Sequence, residues 1–96
     1  MANLGIAKNT IEIIQKYGFA FQKRFGQNFL VDTHVLERII RAAGLTKEDM
    51  VLEIGPGIGT MTQYLAENAG RGVAVEAGPN LIPILKETLQ AYDNVT

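Results

Sequence analysis

Val51-Leu52-Glu53-Ile54-Gly55-Pro56-Gly57-Ile58-Gly59-Thr60 is a short apolar run broken by three alternating glycines and continued by helix-forming sequence. Glycines at the end of a strand let the backbone turn tightly and let a ligand approach the main chain with no Cβ in the way. The start of the helix that follows offers unpaired N–H groups. Met50 to Ile54 is therefore predicted to be a buried strand, Gly55 to Gly59 a turn, and Thr60 to Ala69 a helix with Met61, Tyr64 and Leu65 inward. Beyond it, Gly72 to Glu76 is a second strand. Asn80 to about Tyr92 is a helix with Leu81, Leu85 and Leu89 on one face, Pro83 being tolerated in its first turn. Asp93-Asn94 turns the chain, and Val95-Thr96 begins another strand.

Upstream of the turn, Asp32 is placed to cap a helix over Thr33 to Ala43, with Val35, Leu36, Ile39, Ile40 and Ala43 as its apolar face and Gly44 as its stop. Asn3 to Tyr17 has Ala7, Ile11 and Ile14 at helical spacing, with Ile13 and Tyr17 on a neighbouring stripe, and Gly18 ends it. Phe19, Phe21, Phe25 and Phe29 crowd the loop between these helices, so part of it is expected to pack onto the domain. The chain divides into an N-terminal helix and covering loop, residues 1–31, and an α/β unit, residues 32–96. Strand, glycine turn, helix, strand, helix and strand start make a parallel sheet with flanking helices. Two strands and the start of a third cannot supply the cover that a parallel sheet needs on both faces. The sequence is therefore expected to be a truncated part of a longer protein, and in isolation to self-associate.

Composition sets outer limits. Of 96 residues, 47% are apolar and 20% charged, within the range of one small globular domain. The net charge of −1 gives no basic field to announce a nucleic acid, and the local basic spot, Lys23-Arg24, reads equally as a solvated loop or a phosphate contact. With no cysteine there is no disulfide, zinc ribbon or thiol catalysis. No apolar run approaches the roughly 18 residues of a membrane span, and no charged-then-apolar leader opens the chain, so the cytoplasm is the expected compartment and no membrane partner is expected.

Two carboxylates narrow the ligand. The spacing Gly55-x-Gly57-x-Gly59 is one residue shorter than the dinucleotide fingerprint. Glu53 lies inside the first strand, where a buried carboxylate costs several kcal/mol unless partnered, roughly, so an edge-exposed position is its plain alternative. A carboxylate beside the turn suits a ligand with an ammonium group and repels a pyrophosphate. Glu76 ends the second strand, about 20 residues beyond the turn, where an acidic residue accepts hydrogen bonds from ribose hydroxyls. A solvated strand-end glutamate is the alternative there. A nicotinamide dehydrogenase is disfavoured by the glycine spacing and by Glu53. His34, the single histidine, falls in a first helical turn and is expected at the surface, away from catalysis or metal binding.

These residues resemble the first two motifs of the Rossmann-like S-adenosylmethionine-dependent methyltransferases. Phe25-Gly26-Gln27-Asn28-Phe29-Leu30-Val31-Asp32 narrows the match, being similar to the signature that opens the ribosomal RNA adenine N6-dimethyltransferases. The resemblance spans essentially the whole chain. It implies a Rossmann-like methyltransferase fold and S-adenosyl-L-methionine as cofactor. The implied reaction is dimethylation of adenine N6 in 16S, small-subunit ribosomal RNA, with that RNA or a 30S precursor as partner. The upstream helix and Gly26 favour that branch over the erythromycin-resistance enzymes of the large subunit. A nucleic-acid-binding protein that kept the fold without the chemistry is the third reading. By the same resemblance Asn28 and Leu30 contact the methionine side of the cofactor, Gly55 lies under it, Gly57 keeps the turn open, Glu76 holds the ribose, and Gln27 is a further candidate. The family's Asn-Leu-Pro-Tyr motif, which positions the target amine and stacks the base, has no match in residues 1–96, so no catalytic residue and no metal ligand is assigned here. The family also commonly carries an acidic residue two positions after the ribose glutamate, where this chain has Gly78.

Overall fold

The computed structural model describes residues 3–17 and 32–96. Helix α1 covers Ala7–Lys16, α2 Thr33–Ala43, strand β1 Met50–Ile54, α3 Thr60–Asn68, β2 Arg71–Val75, and α4 Ile82–Thr88, the last preceded by a 3-10 turn over Pro79–Leu81. β1 and β2 pair in parallel, with Glu53 opposite Ala74 and Ile54 opposite Val75. On the far side of β2, Val95 bridges Gly72 in parallel, and the Ala74 N–H donates to the Thr96 carbonyl at 2.9 Å. The expected third strand thus starts at Val95 as predicted, the structure setting it beside β2, and the order agrees with one half of a doubly wound sheet.

Local chemistry explains the helix ends. Asp32 Oδ1 accepts from the His34 and Val35 N–H groups at 2.9 and 3.3 Å, and Gly44 closes α2 in the left-handed region at φ 62°. At the end of α3 the orphan carbonyls are met by side chains. Asn68 Nδ2 donates to Tyr64, Lys47 Nζ to Glu67, and Asn94 Nδ2 to Ala66 and Ala69. Gly70 then turns into β2 with its N–H on Asp49, so close to the preceding loop that a Cβ there would lie 1.9 Å from the Lys47 carbonyl oxygen.

The interior differs from the prediction in four places. In α2 only Leu36 of the expected apolar face is buried, while Ile39 and Ala43 are exposed. In α1 the buried residues are Thr10 and Ile13, with Tyr17 packed on the same cluster, while Ile11 is exposed; the stripe read as secondary is the one that faces the core. In α3, Thr60, Thr62, Gln63, Tyr64 and Ala66 are buried, whereas Met61 and Leu65 are half-buried. In β1, Met50, Leu52 and Ile54 are 70%, 63% and 73% exposed, so the strand is not buried as expected. Its alternate residues Val51 and Glu53 face α3, and among the described residues no helix covers the other face. α4 is shorter than predicted, ending at Thr88 instead of near Tyr92.

The principal apolar cluster joins Leu4, Ile13, Ile58, Leu81 and Ile84. It seats the N-terminal segment and α4 against the glycine loop. Lys16 Nζ and the Tyr17 hydroxyl both bond Glu87 Oε1 at 2.6 Å, tying the end of α1 to α4. The Lys16 contact comes first among the causes that hold the Glu87 carboxyl below its usual range.

Candidate cofactor site

The site is built where β1 and β2 end, at the carboxyl edge on which open α/β sheets receive ligands. Gly55, Gly57 and Gly59 take φ values of 71°, 63° and 97°, the left-handed region that side-chain-bearing residues seldom adopt. This alternation curls the chain back before α3 begins. The Gly55 N–H donates to the Val75 carbonyl at 2.8 Å, so the loop leaves β1 while still laddered to β2. Gly55 is open: a Cβ built there meets nothing within 4 Å. Gly59 is closed, since a Cβ would stand 2.9 Å from Thr88 Oγ1 and 3.2 Å from Leu85 Cδ2.

Glu76 crosses between the two loops. Its Oε1 accepts from the Gly57 N–H at 3.0 Å and its Oε2 from the Gly78 N–H at 2.8 Å. The glycine turn and the strand-end glutamate, 19 positions apart in sequence, are therefore in direct contact. Gly78 belongs to this arrangement: a side chain there would begin 3.4 Å from Glu76 Oε2 and 3.2 Å from Leu81 Cδ1. An acidic residue at 78 would set a second charge against the first, which gives the glycine a local reason.

Glu53 points from the α3 face of β1 and accepts a hydrogen bond from the buried Thr62 hydroxyl. Burial raises its pKa, and the Thr62 bond offsets part of that rise. Among the described residues no ion pair reaches Glu53 or Glu76; the pair present is Lys16–Glu87. Thr60 Oγ1, one residue beyond Gly59, is buried without a hydrogen-bond partner among the described residues. Two carboxylates without counter-cations, exposed glycine backbone and an orphan hydroxyl at a helix start form a set that fits a polar, cationic nucleoside and opposes a pyrophosphate. The same described residues hold no cluster of metal-ligating side chains.

Of the predicted contacts, Gly55, Gly57 and Glu76 come together. Asn28, Leu30 and Gln27, with the phenylalanine-rich loop, lie outside the described residues. His34 is exposed, as expected. Sequence reasoning missed Thr62 and Thr60, and noted Gly78 only as a departure from the family. Hydroxyls in a helix and a glycine before proline carry no motif, although Thr62 stands nine positions after Glu53, far enough for the chain to turn and return one helical turn above it.

Residues 18–96 match the ribosomal RNA adenine dimethylase family. The chain is similar to the ribosomal RNA small subunit methyltransferase A of Lachnoclostridium phytofermentans, at 69% identity over 97 residues, covering 100% of this chain and 33% of that protein. Among solved structures, the 23S rRNA methyltransferase ErmE superposes with a TM-score of 0.66 at 38% identity, over 71% of this chain and 28% of that one. A dimethyladenosine transferase from Plasmodium falciparum superposes at 0.60 with 30% identity, over 67% and 24%. The chain thus spans about a third of the length of the curated relatives it matches.

Proposed function

Because this chain belongs to the ribosomal RNA adenine dimethylase family, we propose that it forms the cofactor-binding front part of an enzyme that dimethylates adenine N6 in small-subunit ribosomal RNA. The observation that carries the reading is the Glu76 carboxylate bonded to the N–H groups of both Gly57 and Gly78 at the end of the sheet. A carboxylate held beside the glycine turn at the carboxyl end of the strands supports a role as acceptor for a ribose diol. The 69% identity over the full chain to a small-subunit enzyme supports the small-subunit branch.

In this reading the cofactor is S-adenosyl-L-methionine, which when bound supplies a methyl group activated by the sulfonium. Glu76 accepts from the ribose hydroxyls. Gly55 lets the ligand lie against the main chain. Glu53 offers negative charge toward the ammonium end, and Asn28 and Leu30 contact the methionine side, with Gln27 a further candidate. The adenine amine is a weak nucleophile because its lone pair is delocalised, so the reaction depends on in-line placement and on acceptors that localise that pair. These acceptors belong to a part of the fold that residues 1–96 do not include. The RNA substrate, a 30S precursor as partner and a cytoplasmic setting follow from the same reading. Among the described residues no helix is long and apolar enough to cross a membrane.

The test uses a protein of the relatives' full length. Calorimetry should show S-adenosylhomocysteine binding and no NADH binding, and radiolabelled methyl groups should pass to adenines of under-methylated small subunits. Cofactor binding without transfer to any RNA would favour a non-catalytic protein of the same fold; NADH binding would end the methyltransferase reading.

A further inference from the structure

We infer that Thr88 and Gln63 are positioning residues for the glycine loop, holding it in its ligand-receiving shape through a buried line of hydrogen bonds that begins on the N-terminal segment. The inference rests on the cofactor reading above and assigns work to residues which that reading leaves out. The line can be followed atom by atom. The Thr10 hydroxyl donates to the Leu4 carbonyl at 2.6 Å, and the Leu4 N–H donates to Gln63 Oε1 at 3.0 Å. Gln63 Nε2 donates to the Thr88 carbonyl at 3.0 Å, and the Thr88 hydroxyl donates to the Ile58 carbonyl at 2.8 Å. Ile58 sits between Gly57 and Gly59, both at positive φ. Gln63 is 2% exposed and Thr88 0%, so no water competes for these bonds.

The physical consequence follows from where the line ends. The loop is pinned at Gly55 by the Val75 carbonyl and at Gly57 by Glu76. Glu76 is also the acceptor that the ribose is expected to engage, so the Gly57 anchor is shared with the ligand. Thr88, fully buried, holds the loop at a third point, the Ile58 carbonyl. Without its hydroxyl, the buried Ile58 carbonyl loses its partner, and the loop gains by moving to hydrate it. A loop that spends only a fraction of its time in the receiving shape binds with an apparent Kd raised by the inverse of that fraction. Thr88 also packs against Gly59, so hydroxyl and methyl must be separated experimentally.

The experiment measures S-adenosylhomocysteine Kd by calorimetry, well below each variant's melting temperature, in a protein of the relatives' full length. Thr88→Val keeps the shape and removes the donor; Kd should rise about tenfold, the size of one lost buried hydrogen bond. Thr88→Ser keeps the donor and should stay within about twofold of wild type. Gln63→Glu keeps an acceptor for Leu4 and loses the donor to Thr88; it should weaken binding several-fold, and it decides the question if Thr88→Val does not fold. Unchanged affinity in a folded Thr88→Val, or a Thr88→Ser as weak as the valine variant, would overturn the inference while leaving the cofactor reading intact. A wild-type protein that binds no S-adenosylhomocysteine would overturn both.

Discussion

Glu53 is a carboxylate that burial pushes toward its neutral form, with the Thr62 hydroxyl as its hydrogen-bond partner. A raised native pKa means that this group favours folding most below the ordinary carboxylate range, and that the benefit is lost as pH rises through the raised value. Glu53→Gln should therefore raise the melting temperature of the ligand-free protein near neutral pH, with the gap closing toward about pH 4. Melting curves across that window check it, and an equal or lower midpoint at neutral pH would refute it. On the cofactor reading, the same substitution should weaken S-adenosylhomocysteine binding, since it removes the negative charge proposed to meet the ligand's ammonium group. Glu76→Ala should raise the cofactor Kd about 10- to 100-fold, as expected for losing hydrogen bonds to a charged acceptor, and calorimetry reads it directly. The glycines divide by what surrounds them. Gly59→Ala meets about 1–2 kcal/mol of left-handed strain plus the Thr88 and Leu85 contacts. Gly70→Ala meets backbone at 1.9 Å and should cost about 3 kcal/mol or more, measurable by denaturant unfolding.

At the scale of elements, the caps of α2 were legible. Asp32 and Gly44 bound α2 as their side-chain chemistry predicts, because capping is decided within a few residues. Asp32→Ala should accordingly cost about 1 kcal/mol of stability in a denaturant titration. Which face of a helix turns inward was less legible. In α1 an equally apolar stripe was available, and the choice fell to Thr10 and Ile13 because Leu4 and α4 lie on that side. In α3 the buried Thr62 and Gln63 defy an apolar-in rule, since each has a partner that sequence does not reveal: the Glu53 carboxylate for one, the Leu4 N–H and Thr88 carbonyl for the other. Hydrogen-bonded polar groups can be buried at little cost, and periodicity cannot see the bond.

Across the whole molecule, the sheet has one face against α3 and another that shows Met50, Leu52, Ile54 and Val75. Apolar strand surface of this kind seeks cover. The 96-residue chain studied alone should associate reversibly, with a sedimentation coefficient that climbs with concentration, and Leu52→Lys should reduce that association. A concentration-independent monomer would contradict it. The parallel pairing and a third strand starting at Val95 were legible, because the alternation of strand and helix leaves few arrangements; that Val95 joins β2 was decided by the structure. The extent of burial was not, because the sequence pattern of β1 records a strand covered on both sides and says nothing of which chain segment provides the cover.

By itself the sequence determined the alternation of elements, the glycine bend with its left-handed residues, the caps of α2 and the family, all of which depend on residues close together along the chain or on motifs of fixed spacing. Only the tertiary structure decided that Glu76 reaches the Gly57 N–H, that Thr62 holds Glu53, and that Thr88 and Gln63 clamp the loop. Those contacts join separate elements, and hydrogen-bond partners distant in sequence are fixed by how helices pack, a property no local pattern encodes.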